Sequence, residues 1–221
     1  MVPLLVAVIG GYLLGSVPVA VLVARAHGFD PREVGDRNPG FWNVRERAGS
    51  RASAPVFAGD MLKGVLAGLL GLAVGGAHTA GLGVVAGPTV PVAYAAVAAA
   101  MIGHAWPVFA RFRGGRSILT FAGGFAVVCP PAFALAVVLL VGVSLASRSF
   151  AAGARTGVFA TPVLQALFAP LTHVALTGAL MCLIGLRFGM AALAGRRRPG
   201  GRDGRGRRGR ARRGPAAGSR T

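Results

Sequence analysis

Acidic residues are scarce in this 221-residue chain, which contains six of them and has a charge on only 14% of its residues. Soluble domains usually have about 25% charged residues. A charge content this low, with 54% hydrophobic residues, excludes an ordinary soluble protein. Cysteine is also scarce: Cys129 and Cys182 each lie in an apolar segment, which excludes a disulfide framework and argues against a cysteine metal site. The composition is that of a membrane protein.

Arginine is abundant where acidic residues are missing, and the formal net charge is +18. Of the 24 Lys and Arg, 12 lie from Arg187 onward, mostly in a tail rich in Gly, Arg and Pro. Such a tail cannot build a core, so residues 191–221 are predicted to be disordered. Binding of this tail to anionic lipid is favoured over binding to nucleic acid. Residues 1–190 form the predicted membrane domain.

Apolar segments long enough for helices alternate with short polar connections. A membrane-spanning helix needs roughly 20 apolar residues, and Pro130–Pro131 and Pro170 divide the later apolar runs. The predicted helices are residues 3–24, 54–75, 84–103, 118–129, 132–146, 157–169 and 171–186. Seven crossings place the connections 25–53, 109–117 and 147–157 on the same side as the tail, and nearly all Lys and Arg lie there. By the positive-inside rule, we predict an all-α polytopic membrane protein with seven transmembrane helices, several of them short, an outside N-terminus and a cytoplasmic C-terminus.

The stretch from Gly103 to Thr120, GHAWPVFARFRGGRSILT, joins two of these apolar segments. Gly114 and Gly115 allow a tight turn that exposes consecutive N–H groups. A helix beginning at Ile118 would favour an anion through its N-terminal dipole. The forked guanidinium of Arg116 can bind the same anion with two hydrogen bonds. The pattern predicts a phosphate site at the membrane surface.

A second polar motif, GDRNPGFWNVR at residues 35–45, lies in the first basic connection. Asn38 and Asn43 offer amide donors and acceptors, Gly40 allows close backbone approach, and Arg45 can bind an anion. The alternative is an ordinary turn whose aromatic residues anchor the chain at the membrane interface.

Asp60 and Lys63 lie three residues apart and therefore share one face of the second helix. Ionisable residues within a span are costly and usually functional, which favours a role in orienting the site. The alternative is an interfacial pair that reaches water by snorkelling. His104 follows Gly103 at a predicted helix end, where a cap or an interfacial hydrogen bond is favoured over a catalytic base.

Together these motifs resemble the bacterial acyl-phosphate:glycerol-3-phosphate acyltransferases of the PlsY type. The resemblance covers residues 3–190 and rests on the order of GYLLGSVPVAVLVAR (Gly11 to Arg25), GDRNPGFWN, D-x-x-K-G (Asp60 to Gly64) and GHAWPVFARFRGGRS. It implies a seven-helix protein of the bacterial inner membrane with cytoplasmic catalytic loops. It also implies transfer of an acyl chain from acyl phosphate to the 1-hydroxyl of glycerol 3-phosphate, giving 1-acyl-glycerol 3-phosphate and phosphate, with no metal or cofactor.

The chain departs from the family pattern at several positions. Asp36 and Arg116 replace a family serine and a family lysine. The family's H-R-x-N motif becomes Leu186-Arg187-Phe188-Gly189, so its histidine and asparagine are absent. Asp36 adds negative charge near two phosphate-bearing substrates unless Arg37 or Arg45 pairs with it.

The motifs and the resemblance together nominate the site residues. The predicted catalytic residues are Arg116, Asn43 and Asn38. The predicted substrate-binding residues are Gly114, Gly115, Ser117, Arg45, Gly40, Asp60, Lys63, His104 and Arg187.

Two other functions stay open at this point. The absent histidine and asparagine favour a catalytically inactive paralogue that binds acyl phosphate or phospholipid, or that regulates an active partner. A small transporter is less favoured, because transporters place polar groups near the membrane midplane and often contain internal repeats. In this sequence the polar groups cluster at one surface and no repeat is evident.

Overall fold

The computed structural model describes residues 1–76, 78–87 and 90–196, and this part of the chain is mostly helical. Its helices are α1 (Val2–Gly15), α2 (Val19–Ala26), α3 (Phe41–Gly75), α4 (Val90–Ala105), α5 (Ile118–Val128), α6 (Pro130–Ser147), α7 (Phe150–Gln165) and α8 (Leu171–Arg196). A two-stranded hairpin, β1 (His78–Ala80) and β2 (Val84–Ala86), precedes α4, and a 3₁₀ turn (Val108–Ala110) follows it. Residues 191–196 belong to α8, so the prediction of disorder is wrong there. Residues 197–221 lie outside the described residues, so disorder and lipid binding stay predictions for them.

The first apolar segment is broken into α1 and α2 and is not the single predicted helix. Pro18 lacks an N–H and disfavours helical backbone in the residue before it, so α1 ends at Gly15 and α2 begins at Val19. The two helices together still form one apolar stretch, Val2–Ala26. The carbonyl group of Val17, within the break, accepts a hydrogen bond from the Val19 N–H at 3.0 Å.

Helix α3 begins at Phe41, so the prediction of a polar connection over residues 25–53 is wrong beyond residue 40. The residues that follow include Ala, Arg and Glu, which are good helix formers. Gly49 interrupts the helix with a left-handed backbone (φ 83°). This break separates a basic, aromatic first part of α3 from its apolar span.

Strands β1 and β2 pair in antiparallel fashion. The sequence predicted a helix from residue 84, but residues 84–86 form a strand and α4 begins at Val90. Consecutive valines favour extended backbone, and Gly81 and Gly83 adopt the left-handed backbone that the turn between the strands requires. The all-α prediction is therefore corrected to a mostly helical fold with a short hairpin.

A proline sets the boundary between α5 and α6, as the sequence predicted. Pro130 is the first residue of α6, where its missing N–H breaks no helical hydrogen bond. Helix α7 begins at Phe150 and is capped by Ser149, whose hydroxyl accepts a hydrogen bond from the Ala152 N–H at 3.3 Å. The predicted connection 147–157 is thus only a short turn, since most of these residues belong to α7.

Within the described residues, five helical stretches are long and apolar enough to cross a membrane: Val2–Ala26, Phe41–Gly75, Val90–Ala110, Pro130–Ser147 and Leu171–Ala194. Helix α5 is apolar but has only 11 residues. Many large apolar side chains on α1, α6, α7 and α8 are exposed, as expected for surfaces that face lipid. The described residues therefore form an integral membrane protein.

Small residues let the two helices that frame the site approach closely. Gly64 on α3 faces the Thr120 carbonyl of α5, and Gly123 on α5 faces the Met61 carbonyl of α3. A Cβ at either glycine would overlap these carbonyl oxygens. The close packing holds the start of α5 beside the polar residues of α3.

Candidate active site

Two loops meet beside the start of α5: the connection between α2 and α3, and the turn between α4 and α5. The Arg32 guanidinium joins them, because its Nε donates to Asp30 Oδ1 at 2.8 Å and its Nη1 donates to the Ala110 carbonyl at 3.3 Å. The pKa of Asp30 is held at about 2, chiefly because Arg32 donates hydrogen bonds to its carboxylate, while burial acts in the opposite direction. The pair therefore stays ionised near neutral pH and fixes the first loop against the second.

Asn43 organises the interior of the first loop. Its side chain is buried, and Nδ2 lies within hydrogen-bonding distance of the carbonyls of Pro31 (2.7 Å), Val34 (3.0 Å) and Asn38 (3.2 Å). Gly40 is the N-cap of α3, and a Cβ there would lie 3.0 Å from the side-chain Nδ2 of Asn38. The predicted polar residues of this loop are thus brought together, with the Asn43 amide donor used for loop structure.

The Gly114–Gly115 turn is braced on both sides. The N–H of Gly114 donates to the Ala105 carbonyl at 3.2 Å, and the N–H of Gly115 donates to the His104 carbonyl at 3.1 Å. The expectation that these two N–H groups are exposed for an anion is therefore wrong, because carbonyl groups at the end of α4 accept hydrogen bonds from both.

Arg187 of α8 holds the other side of the same turn. Its Nη2 donates to the Gly114 carbonyl at 2.9 Å and its Nε to the Gly115 carbonyl at 3.1 Å. The guanidinium also lies over the Trp106 ring, 4.9 Å from the centroid. Arg187 was predicted to bind substrate, and in the structure its donors brace the turn.

Ser117 ends the turn, and α5 begins at Ile118 as predicted. The Ser117 side chain is buried, and its hydroxyl donates to the Met101 carbonyl at 2.7 Å. This bond fixes the start of α5 on α4. The N-terminal dipole of α5, which favours negative charge, therefore lies beside Arg116.

Arg116 is a partly exposed cation beside the start of α5. Its guanidinium lies over the Phe188 ring, 4.6 Å from the centroid, and Nη1 is 3.0 Å from Asp36 Oδ2. Asp36 thus pairs with Arg116, and neither Arg37 nor Arg45 takes the pairing that the sequence suggested. Arg45 instead lies over the Trp42 ring at 5.2 Å, on the first part of α3.

A buried ionic cluster lies beneath the turn. Lys63 Nζ is 2.9 Å from Asp60 Oδ1 and 3.3 Å from His104 Nδ1, and all three side chains are at least nine-tenths buried. Lys63 also donates to the Val17 carbonyl at 2.8 Å, which links the cluster to the break between α1 and α2. The alternative of an interfacial, snorkelling pair is therefore wrong, since neither residue reaches solvent.

The cluster and the turn share a small cavity. Its volume of about 20 Å³ suffices for one water molecule. The lining includes Asp60, Lys63, His104, Arg113 and Gly115. A Cβ at Gly115 would overlap His104 Nε2, so the turn packs directly on this imidazole. The described residues contain no group of three or more His, Cys, Asp or Glu placed to hold a metal ion.

Sequence reasoning missed the residues that orient the two arginines. Trp106 and Phe188 stack on Arg187 and Arg116 respectively, and the Asp30–Arg32 pair links the two loops. The opposite charges of Asp30 and Arg32, two residues apart in the sequence, could have indicated this ion pair. Nothing in the sequence indicated which aromatic ring would meet which guanidinium.

The fold and the site define a class: a helical integral membrane protein with an arginine-lined polar site where the first loop, the turn before α5 and α8 meet. The sequence profile of the family described as glycerol-3-phosphate acyltransferase matches residues 5–194. The chain belongs to this family of membrane acyltransferases, which confirms the resemblance found from its motifs.

Individual relatives agree with this assignment. The glycerol-3-phosphate acyltransferase of Rubrobacter xylanophilus is 47% identical over 138 residues, which are 62% of this chain and 63% of that protein. This chain therefore matches just under two thirds of the Rubrobacter protein. Glycerol-3-phosphate acyltransferase 2 of Moorella thermoacetica is 35% identical over 165 residues, 74% of this chain and 78% of that protein.

The fold is similar to two crystal structures of PlsY (YgiH), described as an integral membrane glycerol 3-phosphate acyltransferase. The glycerol 3-phosphate form gives a TM-score of 0.71 at 26% identity and covers 90% of this chain and 96% of that one. The lysophosphatidic acid form gives 0.68 at 25% identity, with 87% and 93% covered.

Proposed function

We propose that this protein transfers an acyl group from acyl phosphate to the 1-hydroxyl of glycerol 3-phosphate. The hydroxyl oxygen forms a new bond to the carbonyl carbon, and the bond from that carbon to the phosphate oxygen breaks. The products are 1-acyl-glycerol 3-phosphate and inorganic phosphate, and the hydroxyl proton passes to solution. Membership of the family supports the acceptor.

The observation that carries the proposal is the guanidinium of Arg116. It is partly exposed, fixed over Phe188 and placed at the N-terminus of α5. Acyl phosphate is already activated, so catalysis requires positioning and stabilisation of charge more than a strong base. Arg116 supplies the charge, and Arg187 positions it by fixing the Gly114–Gly115 turn.

The test is acceptor-dependent phosphate release by the purified protein in detergent or lipid cubic phase. With palmitoyl phosphate, we expect release and a 1-acyl product only when glycerol 3-phosphate is present. Glycerol serves as the matched acceptor without phosphate, and it should support little release, because the site recognises the anion. A folded protein that shows no acceptor-dependent release would overturn the proposal. Equal rates with glycerol would show that acceptor phosphate is not recognised.

A catalytically inactive binding protein is the second candidate. The side-chain Nδ2 of Asn43 donates a hydrogen bond within its own loop, and Arg116 is already paired with the carboxylate of Asp36. On this reading acyl phosphate or phospholipid binds without turnover, for storage or for regulation of an active partner. Saturable binding of palmitoyl phosphate with no product in the same assay would favour it.

We also propose seven membrane crossings in a bacterial cell membrane, with α1 and α2 forming a single broken crossing and the N-terminus outside. The connections 76–89, 129 and 166–170 contain no Lys or Arg, whereas those on the site side are rich in arginine.

Single cysteines introduced after removal of Cys129 and Cys182 test this topology. Leu82 lies in the exposed hairpin, and Ser147 is the exposed last residue of α6, next to the α6–α7 turn. An impermeant maleimide should label Leu82→Cys in intact cells and Ser147→Cys only after lysis. The reverse pattern would invert the topology.

A further inference from the structure

We propose that Asp36 is an internal competitor for Arg116: its carboxylate occupies the place of a substrate phosphate and must be displaced before that phosphate binds. Asp36 then sets the affinity of the site for phosphate without taking part in bond making. The identity of the substrate rests on the proposed function, but the competition itself does not.

Asp36 is directed to this position by its own loop. One carboxylate oxygen, Oδ1, accepts a hydrogen bond from the Asn38 N–H at 3.1 Å. The other oxygen, Oδ2, lies 3.0 Å from Arg116 Nη1. The loop is itself held against the second loop by Arg32, which donates to Ala110. The pairing is therefore a property of two fixed loops.

The carboxylate satisfies only part of the guanidinium. Arginine has five N–H donors, and the ion pair with Asp36 is made through Nη1. Arg116 Nε is buried and has no hydrogen-bond partner among the described residues. Phe188 holds the guanidinium plane from one side, so the fork is already oriented for an anion. A phosphate, with more acceptor oxygens and up to two charges, can satisfy more of these donors than Asp36 does.

The ion pair is weak enough to open. The Arg116 side chain is 25% exposed and that of Asp36 is 45% exposed, so solvent screens their attraction. Exposed ion pairs of this kind shift an equilibrium by a factor of about two to five. When the binding-competent state is populated only in part, the apparent dissociation constant rises by the corresponding factor. Asp36 is thus expected to weaken phosphate binding about two- to fivefold.

Asp36→Asn tests the competition, with Glu33→Gln as the matched control. Glu33 is an exposed carboxylate of the same loop, so the control removes the same charge without touching Arg116. Calorimetric titration of the full chain with inorganic phosphate, without an acyl donor, gives a readout that needs no turnover. We expect Asp36→Asn to lower the dissociation constant about two- to fivefold and Glu33→Gln to leave it unchanged.

Steady-state kinetics identify which phosphate competes. In Asp36→Asn, the KM for either acyl phosphate or glycerol 3-phosphate should fall by the same factor with kcat within about twofold. The substrate whose KM falls is the one that displaces Asp36.

Three results would overturn the competition: an unchanged phosphate dissociation constant in Asp36→Asn, an equal gain in Glu33→Gln, or a kcat that falls more than tenfold at constant KM. The last result would make Asp36 a participant in the chemistry. Absence of turnover in every variant, with phosphate binding still improved by Asp36→Asn, would instead remove the proposed acyl transfer and leave the competition standing.

Discussion

Replacing Arg116 with alanine is expected to lower kcat/KM for acceptor-dependent acyl transfer by about 100- to 1,000-fold. The guanidinium is the partly exposed cation at the start of α5, and Phe188 fixes its orientation. Charge develops on the leaving phosphate in the transition state, so a pre-oriented cation there stabilises the transition state more than the bound substrates. Phosphate release from palmitoyl phosphate, with and without glycerol 3-phosphate, measures the effect.

Two further variants separate the role of Arg116 from general effects of charge or folding. Arg116→Lys keeps the charge and loses the fork, so a smaller loss than with alanine is expected. Arg155→Ala removes an exposed arginine of α7 and should leave the rate within about twofold. If Arg116→Ala has the melting temperature of the unsubstituted protein and retains more than a third of its activity, Arg116 is not the phosphate ligand.

Replacing Lys63 with methionine is expected to destabilise the fold by about 3–5 kcal/mol, since the change leaves the Asp60 carboxylate buried without its cation. The same change removes the side-chain donor to the Val17 carbonyl in the break between α1 and α2. For a chain of this length, the melting temperature should fall by roughly 10 °C. Cys129 is buried and Cys182 is exposed, so a thiol-reactive dye in detergent reports the unfolding through Cys129 when both proteins carry Cys182→Ser.

The double variant Asp60→Asn with Lys63→Met supplies the control. It removes both charges and leaves no buried ion unpaired, so it should recover a large part of the lost stability. His104 stays beside residue 60 in both variants, which keeps the comparison matched. A double variant no more stable than Lys63→Met would show that the cost comes from lost packing or from the α1–α2 break, and not from Asp60.

Much of this protein could be predicted from the sequence, because the features concerned are local. The low charge content and the long apolar runs determined the membrane class, and the segregation of arginine indicated which connections share a side. Pro130 determined the boundary between α5 and α6, and the residues around Ile118 determined where α5 begins. The order of the motifs was sufficient to identify the family.

Helix boundaries near breaks were less predictable. The early start of α3 at Phe41 and the strand at residues 84–86 both lie where short stretches fit more than one backbone conformation. Polar residues before residue 54 suggested a loop, and apolar residues from residue 84 suggested a helix. Tertiary packing and the neighbouring glycines decided these cases.

The pairings within the site were decided by the tertiary structure alone. Asp36 meets Arg116, Lys63 meets the Val17 carbonyl, and Arg187 meets the carbonyls of the Gly114–Gly115 turn. Each contact joins residues far apart in the chain, and each depends on how far one helix is shifted and rotated against another. The sequence shows which charged groups are present. From the sequence alone, Arg37 and Arg45 were as plausible partners for Asp36 as Arg116. Only the packing of α3, α4, α5 and α8 determines which of these charges come within hydrogen-bonding distance.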